Sequence, residues 1–272
     1  MSTDDHAPVH DRSVSGRVLR RPAGILLDFG GVIAETAARP HWVDELTGIV
    51  CDRLAIIDGH SELSPERVRT DILAGTRADS RWKNAMSRPR HPTELPYATL
   101  WGDFIAADWP TSLRAQVVTH AQALCADLVR LREDRALRPG MVDFVSMAVE
   151  RGHAVGIVSN TLGASVYRAF IDDAGLAPLF GAQIYSDEAG LRKPNPDLLS
   201  RGAAALDLSI DDCWYVGDNF DRDVLCGWRA GVGGNVLMEA SGTWDLPFPA
   251  LRRPDAIVGD AAALAELLIA AG

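Results

Sequence analysis

Between residues 150 and 272 short apolar runs alternate with stretches of helical period, and this alternation restricts the fold more than any other feature of the chain. It predicts strands at 154–158, 182–185, 213–216, 235–238 and 256–258. Between them it predicts a helix over 164–174 ended by Gly175, and a helix opening at Pro196 with an apolar face through Leu198, Leu199 and Ala203. A further helix over 221–230 is closed by Gly231, and the Ala-rich close forms a terminal helix. Strand alternating with helix implies right-handed crossovers and a parallel sheet covered on both faces. The apolar run 25–29 is then the first strand, expected at the centre of the sheet. Ligands of such sheets bind beyond the carboxyl ends of the strands.

The interval 36–137 reads differently. Ser64 and Pro65 form a cap and first turn, followed at helical spacing by Val68, Ile72 and Leu73. From Thr111 onward Leu113, Val117, Ala121, Leu124, Leu128 and Leu131 recur three or four residues apart, which predicts one long helix. The sequence LRPG at 137–140 returns the chain to the core. Residues 1–21 are polar, carry both charge signs and are expected to be a disordered tail. The expected organisation is therefore a tail (1–21), an α/β core (22–35 and 138–272) and an inserted helical module (36–137).

The net charge of −10 argues against a nucleic-acid partner or an anionic membrane surface, since both reward clustered Lys and Arg. No stretch approaches the roughly 18 apolar residues of a membrane span. The four cysteines, Cys51, Cys125, Cys213 and Cys226, have neither CxxC nor zinc spacing and read as reduced thiols of a cytoplasmic protein. The expected partner is a small molecule, and the expected state a monomer or homodimer.

Four scattered segments carry the chemistry: ILLDFGGVI at 25–33, VGIVSN at 155–160, LRKPNP at 191–196 and WYVGDNFDRD at 214–223. Each places a useful side chain just after an apolar run or in a tight turn: Asp28, Ser159, Lys193, then Asp218 with Asp223. Taken singly, each has a plain structural reading. Asp28 and Ser159 can serve turns, and Asp218 can cap a helix. In this order they supply a nucleophilic carboxylate, a hydroxyl, a cation and an acidic pair. Together they resemble the haloacid dehalogenase (HAD) superfamily, most of whose members are magnesium-dependent phosphatases, over residues 23 to the end.

That resemblance implies a Rossmann-like parallel sheet core with helices on both faces and, in the inserted helices, a C1 cap. It implies that Asp28 is the nucleophile that becomes an aspartyl phosphate. Asp28, the backbone carbonyl of Gly30 and Asp218 would hold Mg²⁺, with Asp223 in support. Ser159 and Asn160 would bind the phosphate ester, and Lys193 would offset charge in the transition state. Asp221 and Arg192 are expected to face solvent. Gly30 departs from the pattern: most HAD phosphatases place a second Asp there as general acid and base. Glu35 is an acidic residue further along the same stretch. Two other readings stay open, a 2-haloacid dehalogenase, and a catalytically weak HAD-like binding or regulatory protein. Retention of both Asp218 and Asp223 favours the phosphatase. Within the cap, 81–92 and 97–104 mix cations with aromatics and could line the substrate pocket, with Lys83 and Arg88 contributing to selectivity and His91 or Glu94 to proton supply. Trp82, Trp101 and Trp109 read equally as cap core.

Overall fold

A computed structural model of the chain describes residues 12–56 and 62–272. Eight strands form among them: β1 (Gly24–Leu27), β2 (Ala34–Ala38), β3 (Glu133–Leu137), β4 (Ala154–Ser159), β5 (Ala182–Tyr185), β6 (Cys213–Gly217), β7 (Gly234–Met238) and β8 (Ala256–Val258). Six of them build one parallel sheet in the order β5-β4-β1-β6-β7-β8. β1 is central, as its wholly apolar GILL run requires of a strand buried on both faces. Side-chain alternation then divides the core. Ile25, Leu27, Val155, Ile157, Trp214 and Val216 pack with the helices Met141–Glu150, Ala164–Asp173 and Ala261–Ala270. Leu26, Val158, Cys213 and Tyr215 pack with Pro196–Ala205 and Leu225–Ala230.

A separate apolar cluster holds the cap together. The helices Trp42–Leu54, Pro65–Ala85, Thr111–Thr119 and Ala121–Arg132 bury Leu46, Val50, Val68, Ile72, Trp101, Val117, Leu124 and Leu128. The Ser64 side chain accepts a hydrogen bond from the Arg67 amide, which starts the second of these helices as its sequence predicts. The single helix expected from Thr111 onward is two helices, because His120 leaves helical geometry (φ −96°, ψ 5°) and serves as the cap of both. Between core and cap lies an antiparallel pair, β2 with β3, in which Ala34 faces Leu137 and Ala38 faces Glu133.

The described part of the expected tail, residues 12–21, is not free. Arg17 donates to the Val232 carbonyl at 2.9 Å, the Trp214 indole donates to the Arg20 carbonyl at 2.9 Å, and Leu19 packs on the core. Polar composition suggested disorder, but extended backbone can be satisfied by distant partners that no local pattern reveals. Residues 1–11 lie outside the described residues.

Candidate active site

Asp28 follows the last residue of β1, Ser159 ends β4, and Asp218 follows β6, so sheet topology alone brings three distant residues to one edge. Lys193 arrives on the loop before Pro196–Ala205 and is 2% exposed. Its Nζ lies 2.8 Å from Asp28 Oδ1 and 2.7 Å from Asp223 Oδ1, and it donates to the Tyr215 hydroxyl at 2.7 Å. The Tyr215 hydroxyl in turn donates to Asp223 Oδ1 at 2.7 Å. Asp223 Oδ2 accepts the Asp218 and Asn219 amides at 3.2 and 3.0 Å. Both oxygens of Asp223 are thus engaged, and the Asn219 side chain caps the wide helical turn Phe220–Val224 that carries it.

The electrostatics follow from three converging carboxylates, of which Asp28 and Asp223 share Lys193 while Arg222 acts on Asp218 and Asp223. Burial raises the Asp28 pKa, opposed by the charge of Lys193. Burial and then the charges of Asp223 and Asp28 hold Asp218 well above the usual carboxylate range. For Asp223 burial acts upward, but Lys193 and the Tyr215 hydrogen bond outweigh it and the pKa is lowered. Burial would lower the Lys193 pKa, yet Asp223 and Asp28 raise it. Oxygens of Asp28, Asp218 and Asp223 all lie within 4.8 Å of one another. A divalent cation suits this set, because hard carboxylate oxygens converge there with less positive charge than they need.

Two glycines shape the approach. Gly31 has a φ of +76°, and a Cβ there would stand 2.3 Å from Asp218 Oδ2. A Cβ at Gly30 would meet nothing within 4 Å, so the side chain missing from that position leaves open space.

All seven residues singled out in the sequence, Asp28, Gly30, Ser159, Asn160, Lys193, Asp218 and Asp223, line one cavity of about 630 Å³. Gly31, then Glu35 and Thr36 of β2, Glu133 of β3, Arg138, Tyr167, Arg222 and 239–241 complete it. Among the described residues none between 37 and 132 contributes. Lys83 and Arg88, which the sequence offered as contacts to substrate, stand outside this lining. Lys83 is bound to the buried Asp79 at 2.7 Å, and the Arg88 guanidinium lies over the Phe248 ring. Trp101 and Trp109 are cap core. His91 stands 3.9 Å from Asp197, and Glu94 is buried against Arg192 at 2.6 Å. Arg192 and Asp221, expected at the surface, are 1% and 9% exposed. Local sequence could not show this for Arg192, since its partner lies 98 residues away. Tyr215 was legible only as a strand residue, although alternation puts it on the same face as Leu26 and hence toward the Lys193 loop.

A family model described as haloacid dehalogenase-like hydrolase matches residues 22–231. The chain belongs to this family. This HAD-like hydrolase is 31% identical over 112 residues to the phosphoserine phosphatase of Thermus thermophilus, covering 41% of this chain and 45% of that protein. It is 29% identical over 94 residues to the glyceraldehyde 3-phosphate phosphatase of Methanopyrus kandleri, covering 35% and 40%. These matches span less than half the length of either relative. Among solved structures, the 2-haloacid dehalogenase of Pseudomonas syringae pv. Tomato DC3000 aligns over 94% of this chain and 100% of its own, with a TM-score of 0.57 and 15% identity. The HAD phosphatase of Thermococcus onnurineus aligns over 90% and 97%, with a TM-score of 0.53 and 16% identity. Those likenesses concern the fold.

Proposed function

We propose that this HAD-like hydrolase is a Mg²⁺-dependent phosphatase that cleaves a small phosphate monoester through phosphorylated Asp28. The observation that carries this reading is Lys193, buried and in contact with both Asp28 and Asp223, at the floor of a polar cavity where three carboxylates converge. A phosphate monoester repels nucleophiles because its reacting centre is ringed by negative oxygens. A site for it must therefore combine a positioned nucleophile with excess positive charge. Asp28 attacks phosphorus, and the bond to the leaving oxygen breaks. Water then attacks the acyl phosphate and releases inorganic phosphate, restoring the carboxylate. Lys193 offsets the charge on Asp28 and the phosphoryl group, while the Ser159 hydroxyl and the Asn160 backbone amide donate to phosphoryl oxygens. Asp28, Asp218 and the Gly30 carbonyl would hold Mg²⁺, and Asp223, with both oxygens already engaged, would orient Lys193 and the Asp218 backbone behind it. When bound, the ion supplies the positive charge that shields the nucleophile and the phosphate oxygens from each other.

The names of both sequence relatives, a phosphoserine and a glyceraldehyde 3-phosphate phosphatase, support a small phosphorylated metabolite as the substrate class. A cavity of about 630 Å³ suits a ligand of that size. Four buried, unpaired cysteines accord with a cytoplasmic setting, and among the described residues no helix is long and apolar enough to cross a membrane. The rival dehalogenase would use the same Asp28 to displace halide but has no use for the acidic cluster. Phosphate release from a panel of phosphoesters, with Mg²⁺ and with EDTA, tests the proposal. Metal-dependent release is expected; halide release from 2-chloropropionate in EDTA, with no phosphate release, would replace it with the dehalogenase reading.

A further inference from the structure

The helices of the cap contribute nothing to the cavity wall, yet one of the segments joining them is built into the core beside the Lys193 loop. Thr93 bridges Leu191 in antiparallel fashion, and the Glu94 amide donates to the Gly190 carbonyl at 3.1 Å. The Asn195 side chain donates to the Pro92 carbonyl at 3.2 Å, and Arg229 donates to the Pro89 and Arg88 carbonyls at 2.6 and 3.1 Å. At the centre is the Glu94 carboxylate, 6% exposed. One oxygen accepts from Arg192 at 2.6 Å and from the Leu95 amide at 2.8 Å, and the other accepts from the Ser186 hydroxyl at 2.5 Å.

Two of these partners, Arg192 and Ser186, lead to the reacting groups. Arg192 precedes Lys193, whose backbone N–H and C=O are both held by the Asn160 side chain, at 2.8 and 3.1 Å. Ser186 Oγ accepts the Thr161 amide at 2.9 Å, two residues beyond Ser159. One cap carboxylate therefore stands where the loop of Ser159 and Asn160 meets the loop of Lys193. The Arg192 guanidinium is also closed in by the Trp82 ring of the cap, 5.2 Å from its centroid. Swinging the cap away from this face would strip a buried charge pair of its partners, a costly change in a low-dielectric setting.

We propose that Glu94 is a positioning residue and that its segment fixes the cap to the core as a brace. The cap then sets the geometry of the two loops that carry Ser159 and Lys193, and substrate enters past β2, β3 and residues 239–241. The turnover part of this inference rests on the phosphatase reading; the loop-ordering part does not.

Three measurements test it. Glu94→Gln, nearly isosteric, and Glu94→Ala are compared with wild type by hydrogen exchange, where faster exchange is expected in peptides spanning Thr161 and Lys193 while Met141–Glu150 is unchanged. In phosphate release the variants are expected to lose kcat by about 10- to 100-fold, Glu94→Ala more than Glu94→Gln, with KM nearly constant, as displaced catalytic loops would produce. Cysteines at Thr93→Cys and Leu191→Cys, bridged by oxidation across a pair whose antiparallel spacing permits a disulfide, are expected to leave turnover intact. Unchanged exchange at both loops in a folded variant would overturn the positioning role. Loss of turnover on oxidation, restored by reduction, would show a cap that must swing and would overturn the brace. A wild type that releases no phosphate would sink the phosphatase reading, and the exchange data alone would then decide the role of Glu94.

Discussion

At residue scale the chemistry of Asp28 depends on its neighbours at positions 30 and 31. With no carboxylic acid at position 30, the leaving oxygen must bear its own developing charge. We therefore predict that aryl phosphates are cleaved faster than alkyl phosphates of similar size, by an amount on the order of the 100- to 10,000-fold that a general acid typically contributes. The open space at Gly30 accommodates a side chain, so Gly30→Asp should fold and narrow that gap by accelerating the alkyl esters. A folded Gly30→Asp enzyme without gain, alongside a flat leaving-group dependence in wild type, would show that the proton comes from another group. Gly31→Ala is expected to behave oppositely, because it forces a left-handed backbone and drives a Cβ against Asp218. A stability loss of about 1–3 kcal/mol by urea titration checks this. His153 gives a pH signature elsewhere. Burial lowers its pKa, against the raising effect of the Pro22 carbonyl, while the unfolded imidazole titrates near 6.5. The unfolded chain then binds more protons, so the stability contribution is complete above about pH 6.5 and is lost as pH falls through the folded value. His153→Gln should lose less of its urea midpoint between about pH 8 and pH 5.5 than wild type does.

At the scale of elements, much of the core was legible because strands buried on both faces read as apolar runs, and turn residues mark their ends. The strands 182–185 and 256–258 match their expected bounds, and β4, β6 and β7 differ from theirs by a single residue. The carboxyl-end rule then brought Asp28, Ser159 and Asp218 together without any long-range information. The cap segment 81–104 was not legible in this way. A mixture of cations and aromatics is equally the signature of a pocket and of a helix packed on its neighbours, and here the second holds. Lys83 partners Asp79, which is 1% exposed. Lys83→Ala should accordingly leave KM unchanged and cost about 1–3 kcal/mol through the buried carboxylate it abandons. Thermal unfolding and steady-state kinetics on the same preparation distinguish this from a substrate contact, which would raise KM at unchanged stability.

On the scale of the whole molecule, what escaped the sequence is contact between distant parts: Glu94 with Arg192, Tyr215 with Lys193, and residues 12–21 laid across β6 and β7. None has a local pattern, because each partner satisfies a polar group whose need is visible only after folding. Removal of residues 1–21 should expose the Trp214 indole and leave Asp255 without Arg17, lowering Tm by at least about 2–4 °C. All three scales meet at Asp28: sheet topology delivers it beside Lys193 and two further carboxylates, where we propose that it takes the phosphoryl group with Mg²⁺ bound. Acid-quenching the enzyme during turnover of an aryl phosphate with Mg²⁺, then mapping peptides by mass spectrometry, reads this directly. A phosphoryl group is expected on the peptide containing Asp28, absent in EDTA and absent from Asp28→Asn. Turnover that continues undiminished in Asp28→Asn, or a phosphoryl group carried by a different residue, would contradict it.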